Sequence, residues 1–132
     1  MNLGKYLKRI IKAVLNRPIE EFTMEKEYVI SNEENGRFNE KVAVVTGGTG
    51  TIGGAIAWRL GIEGATVFVC GRNVTKINDV VMQMRNRKIE AMPLVLDVGN
   101  DESVEKAVIK VIKEKGKVDI LVNCAGGSTR NN

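Results

Sequence analysis

Thr46-Gly47-Gly48-Thr49-Gly50-Thr51-Ile52-Gly53 lies between an apolar run, Val42-Ala43-Val44-Val45, and a stretch of helical character from Ile52 to Leu60. Four consecutive apolar residues are too few for a helix and lack the alternation of a half-solvated strand. They read as a strand buried on both faces. That strand opens directly into glycines. Gly47 permits a sharp turn out of it, and Gly53 lets the following helix pack tightly on it.

The rest of the chain follows the same alternation. Thr66 to Cys70 is β-branched and aromatic, which predicts a second strand. Val74 to Arg87 places Ile77, Val80, Val81 and Met84 on one helical stripe. Ala91 to Leu96 predicts a third strand, and Pro93 puts the proline at its end or the strand at a sheet edge. Asn100 or Asp101 can cap a helix whose apolar stripe is Val104, Ala107, Val108, Val111 and Ile112, with Gly116 ending it. Val118 to Cys124 predicts a fourth strand. The order βαβαβαβ demands parallel strands and right-handed crossovers. The expected fold class is therefore α/β, a Rossmann-like doubly wound parallel sheet over residues 41–132, truncated after its fourth strand.

A turn of this composition after the first strand has a specific chemistry. The pyrophosphate of a dinucleotide needs backbone N–H donors at close range and a helix N-terminus aimed at it. Gly50 removes the Cβ that would hold phosphates away, and Gly47, Thr49, Gly50, Thr51, Ile52 and Gly53 become candidate cofactor-binding positions. A glycine-rich loop without a ligand is the alternative. A nucleoside-triphosphate loop is excluded, because Gly54-Ala55 stand where Lys-Ser/Thr is required.

Three motifs in register carry a family resemblance. They are the glycine turn with its preceding Thr46, Asp97-Val98 at the end of the third strand, and Asn123-Cys124-Ala125-Gly126 at the end of the fourth. From Lys41 to Gly126, roughly two-thirds of the 132 residues, the chain resembles the first half of the short-chain dehydrogenases/reductases. The resemblance implies that Asp97 hydrogen-bonds the adenine amino group, with Val98 beside it. It implies that Asn123 steadies the central sheet, and that the backbone of Ala125 and Gly126 lies beside the nicotinamide-side ribose. Taken singly, Asp97 reads as a helix cap or turn former and Asn123 as a satisfied buried amide. Two departures stand out. Thr51 occupies a glycine position of the single-domain branch, giving the spacing of the extended, nucleotide-sugar branch, and Cys124 replaces a second Asn. The Asn-Cys-Ala-Gly run resembles the single-domain branch, which is the branch expected here.

The second strand indicates which dinucleotide. An NAD enzyme needs a carboxylate there for the adenosine ribose hydroxyls, but this strand ends Cys70-Gly71-Arg72-Asn73. A guanidinium at Arg72 can pair in a planar, bidentate way with a 2′-phosphate that a carboxylate would repel. With Asn73 beside it, this resembles the NADP-preferring pattern, so NADP is expected over NAD; a surface arginine capping a loop is the alternative.

The resemblance also implies chemistry by a Tyr, a Lys four residues later that lowers the Tyr pKa, and a Ser that orients the carbonyl. Tyr6 and Tyr28 lie upstream of the glycine turn and are followed at the fourth position by Ile10 and Asn32. Ser128 and Thr129 follow the fourth strand too closely. No catalytic residue is assigned, and the chain reads as the NADP-binding portion of a longer enzyme, expected to be inactive alone. The intact parent would transfer a hydride between NADP(H) and a carbonyl or secondary alcohol of a small metabolite, and the resemblance implies a homo-oligomer. A non-catalytic nucleotide-binding or regulatory module, or a portion of an extended nucleotide-sugar epimerase/dehydratase, are the alternatives.

Composition narrows the remaining classes. The absence of histidine excludes His-based triads and His-ligated metals, and no metal is expected. Three Phe, two Tyr and one Trp give no aromatic-interleaved basic surface for single-stranded nucleic acid. Cys70 and Cys124 read as buried core thiols in a reducing compartment. No apolar run approaches the roughly 18 residues that span a bilayer, and Lys8, Arg9 and Lys12 interrupt any signal peptide. The expected location is cytoplasmic. Residues 1–17 carry five basic residues and no acid, and their apolar residues follow helical spacing, predicting a basic amphipathic helix. Docking on the chain's own body is the expected role, a membrane surface the alternative. Residues 18–40 hold seven Glu against Lys26 and Arg37 and read as an acidic linker.

Overall fold

The computed structural model describes residues 36–126. The expected helix over 2–17, most of the expected linker, and Ser128 and Thr129 lie outside the described residues. Four strands, β1 (Val42–Thr46), β2 (Thr66–Gly71), β3 (Ala91–Val95) and β4 (Ile120–Asn123), alternate with three helices, α1 (Thr51–Ile62), α2 (Val74–Asn86) and α3 (Asp101–Lys115). All pairings are parallel, in the order β3-β2-β1-β4. The fold is the Rossmann-like sheet expected.

The inner strands β1 and β2 are almost wholly apolar because both of their faces are covered. Ala43, Val45, Val67 and Val69 pack with Ala57, Leu60, Ile77, Val81 and Met84 of α1 and α2. Val42, Val44, Phe68 and Cys70 point the other way, toward Ala107 and Val111 of α3. Side chains that alternate between two buried faces leave polar residues only at strand ends, Thr46 closing β1 and Thr66 opening β2, both of them buried. Pro93 sits in edge strand β3, opposite Val69, where the missing N–H spoils no second ladder. Asn100 caps α3, its Oδ1 accepting from Ser103 N at 2.9 Å, and Gly116 closes that helix with φ 73°.

Three expectations are corrected. The stripe on α3 is narrower than predicted: Ala107 and Val111 are buried, with Val104 packed beside them, but Val108 and Ile112 are exposed. The fourth strand begins at Ile120, not Val118. Asp119 bonds Val42 twice, through its own N–H to the Val42 carbonyl (2.9 Å) and through Oδ2 to the Val42 N–H (2.8 Å), so a side chain replaces the ladder there. The Val42 N–H also holds the Asp119 carboxyl below its ordinary pKa.

The third correction concerns residues 36–40, which are not linker. Phe38 packs against the α1–α2 side of the core, and its N–H donates to the Glu63 carbonyl at 2.9 Å. Arg37 grips the buried Glu63 carboxylate in a fork, Nε to Oε2 at 3.1 Å and Nη2 to Oε1 at 2.6 Å, and Arg59 joins it on Oε1. The Arg37 hydrogen bonds, with both guanidinium charges adding to them, hold the Glu63 carboxyl at about 2 against the cost of its burial.

Candidate functional site

A cleft of about 510 Å³ opens at the carboxyl ends of the strands. It lies where the chain reverses its direction of travel across the sheet, since β1 is flanked by β2 on one side and β4 on the other. Open α/β sheets bind ligands at that switch point. Four loops build the cleft: the glycine turn, Gly71-Arg72 after β2, Leu96 to Gly99 after β3, and Cys124 to Gly126 after β4.

The glycines of the turn are required by close backbone approach. Gly47 has φ 64°, and a Cβ there would stand 2.7 Å from the Cys124 carbonyl oxygen. A Cβ at Gly53 would come within 2.3 Å of the Gly47 carbonyl oxygen. Turn and helix therefore nest with no side chain between them. Helix α1 opens at Gly50 without a side-chain cap and without an acidic residue in its first turn. Its first N–H groups are thus left for an external acceptor, and the helix dipole favours an anion there.

Thr46 ties this turn to the loop after β4. Its buried hydroxyl donates to the Val122 carbonyl at 3.3 Å and accepts from the N–H groups of Cys124 and Ala125, each at 3.1 Å. In the sequence Thr46 stands out only as the residue before the glycines. Its role rests on pairing with residues nearly eighty positions away, which local pattern does not display.

The structure brings most of the candidate positions together. Gly47, Thr49, Gly50, Arg72, Asp97, Val98, Ala125 and Gly126 line the cleft. Thr51, Ile52 and Gly53 form the first turn of α1 outside that lining, with Ile52 72% exposed. Asn73 lies beyond the lining as well, and its Oδ1 caps α2 by accepting from Lys76 N at 3.0 Å. Asp97 lines the cleft and also shapes its loop, since Oδ1 accepts from Gly99 N at 3.0 Å. Asn123 is exposed at the end of β4, pairs with Thr46 in register and does not line the cleft, so it is not a buried amide. Cys70 lines the cleft from within the core, where burial pushes its thiol up to about 12 and keeps it protonated. Cys124 is only half-buried, against the expectation of a core thiol. Among the described residues no group of acids and thiols is arranged to hold a metal, and no helix is long and apolar enough to cross a membrane.

The chain belongs to the short-chain dehydrogenase family, whose model matches residues 41–132. It is similar to a 3beta-hydroxysteroid dehydrogenase of Mediterraneibacter gnavus, 45% identical over 92 residues that make up 69% of this chain and 33% of that protein. Tropinone reductase-like 3 of Erythroxylum coca is 36% identical over 92 residues, 70% of this chain and 36% of its own length. Among solved structures, a metagenomic short-chain oxidoreductase in complex with NADP superposes with a TM-score of 0.66 at 34% identity, covering 68% of this chain and 41% of that one. The chain thus spans about a third of the length of the curated relatives it matches.

Proposed function

We propose that the cleft binds NADP(H), and that the chain serves as the nucleotide-binding portion of an oxidoreductase acting on a carbonyl or secondary alcohol of a small metabolite. The observation that carries this reading is the uncapped, acid-free N-terminus of α1 opening on the cleft through Gly50. The fit is good at each part of such a ligand. The first-turn N–H groups of α1 and the bare face of Gly50 would hold the pyrophosphate. Asp97 and Val98 lie where an adenine would rest. Arg72, with glycine before it and no carboxylate after β2, would pair with a 2′-phosphate. Ala125 and Gly126, held by Thr46, would flank the nicotinamide-side ribose. The bound cofactor would supply or accept the hydride. The described residues of this chain bind and orient it, and the solved relative complexed with NADP supports that choice of cofactor.

Calorimetric titration of the chain with NADPH and NADH tests the proposal. Arg72→Ala is expected to cost NADPH about 1.5–3 kcal/mol, roughly ten- to a hundredfold, and NADH far less. Equal losses for both would make Arg72 a structural residue.

A further inference from the structure

Helix α3 has apolar residues on two faces, and only one of them belongs to the core. Ala107 and Val111 are buried against the sheet. On the solvent side Val108, Ile109 and Ile112 are 37%, 53% and 46% exposed. Ile109 belongs to a row spaced four residues apart, Asp101, Glu105, Ile109 and Lys113, which on a helix forms one ridge. The ridge is acidic before Ile109 and basic after it. Glu102 and Lys106, beside the row, pair with each other at 2.6 Å. Asp101, Glu105 and Lys113 have no ion-pair partner among the described residues. The helix dipole favours acid at the start and base at the end. It does not call for three large apolar side chains between them, turned away from the core.

We propose that this face of α3 binds the same face of a second copy of the chain, the two helices antiparallel about a two-fold axis near Ile109. In such an arrangement Glu105 of one copy meets Lys113 of the other, and the pairing occurs twice. Val108, Ile109 and Ile112 of both copies close on one another between the two pairs. A parallel arrangement would set acid against acid and base against base, so the order of charge selects the direction. The occupant is a second copy because the face is complementary to itself, with opposite charges at equal distances from an apolar centre. None of these residues lines the cleft, and the pairing does not depend on what the cleft binds. One pair of 15-residue helices is a small interface, so a dimer of micromolar affinity is expected.

Sedimentation equilibrium on the full chain, with Glu105→Lys and Lys113→Glu variants, tests the pairing. Each variant alone turns two attractive pairs into two repulsive ones, and its dimer is expected to weaken at least about tenfold. Mixed in equal amounts, the two variants match each other at both ends. They should form a heterodimer about as tight as the unsubstituted homodimer. The Glu105→Lys, Lys113→Glu double variant should recover that affinity as well, which separates lost pairing from lost folding. Association through the open edge of β4 predicts no difference among these proteins, and equal association in all of them would overturn the proposal. So would a mixture that associates no better than either variant alone. A chain that stays monomeric up to about 100 µM would overturn it too, leaving this face to another part of the same chain.

Discussion

Thr46 on β1 accepts the backbone N–H of Ala125, beyond β4, at 3.1 Å, so a strand-end hydroxyl sets the position of one wall of the cleft. The same oxygen accepts from Cys124 and donates to Val122, which leaves it fully used. Thr46→Val keeps the shape and removes all three bonds. The Cys124 and Ala125 N–H groups then lose their acceptor, and stability should fall by about 1–3 kcal/mol. Urea unfolding measures this, and Thr46→Ser should recover most of the loss.

The packing of turn on helix makes adjacent glycines unequal. Gly53→Ala drives a methyl into the Gly47 carbonyl oxygen, a backbone atom that cannot swing away. It should lower the urea midpoint by the equivalent of roughly 1–3 kcal/mol. Gly54→Ala meets nothing nearer than the Gly48 carbonyl oxygen at 3.4 Å. It should be neutral or stabilising, since alanine costs a helix less entropy than glycine.

Acid should loosen the fold partly through Glu63. Its folded pKa of about 2 lies below the ordinary 4.5, so its contribution is fully present above pH 4.5 and is lost as the pH falls from there toward 2. Urea midpoints taken at intervals across that window should drop in the unsubstituted chain. In Glu63→Gln the drop should be shallower, with Glu90 and Asp119, both also held below their ordinary values, accounting for part of the remainder. Identical slopes in the two proteins would remove Glu63 from the acid response.

The outer edge of β4 should make the chain self-associate. Leu121 is 60% exposed there, and in the described residues no strand follows β4 in the sheet. An apolar open edge invites pairing. Light scattering at micromolar concentration should show species larger than a monomer, and Leu121→Lys should shift them toward monomer. A monodisperse monomer in the unsubstituted chain would contradict the expectation.

The chain alone should not turn over substrate. Both tyrosines precede the glycine turn, and neither is followed by lysine at the fourth position. NADPH oxidation against ketones, aldehydes and keto-sugars should stay far below an ordinary enzyme rate of about 1 s⁻¹.

The sheet and cleft were legible in the sequence because their signals are local. The apolar run Val42–Val45, the glycines after it and the Asn100 and Gly116 caps each act within a few residues. What escaped is carried by side chains that act across the fold. Asp119 shortens β4 by standing in for a ladder group of Val42, and nothing near Val118 announces it. Glu63 looks like one more solvated acid until Arg37, 26 positions earlier, is seen to fork onto it. Asn73 sits in the motif but is engaged as a cap, a use that its neighbour Val74 and the helix beyond could have indicated.

The Arg37–Glu63 fork bears on where this domain can be trimmed. The family match starts at Lys41, and a shortened chain begun there would keep every described strand and helix. It would also discard the guanidinium of Arg37 and the ring of Phe38, leaving the sealed-in Glu63 carboxylate with Arg59 as its remaining charged neighbour. A buried charge stripped of a partner is a liability that its parent never carried. The working boundary for expressing the nucleotide-binding region on its own is therefore Gly36 or earlier, five residues before homology alone would put the cut.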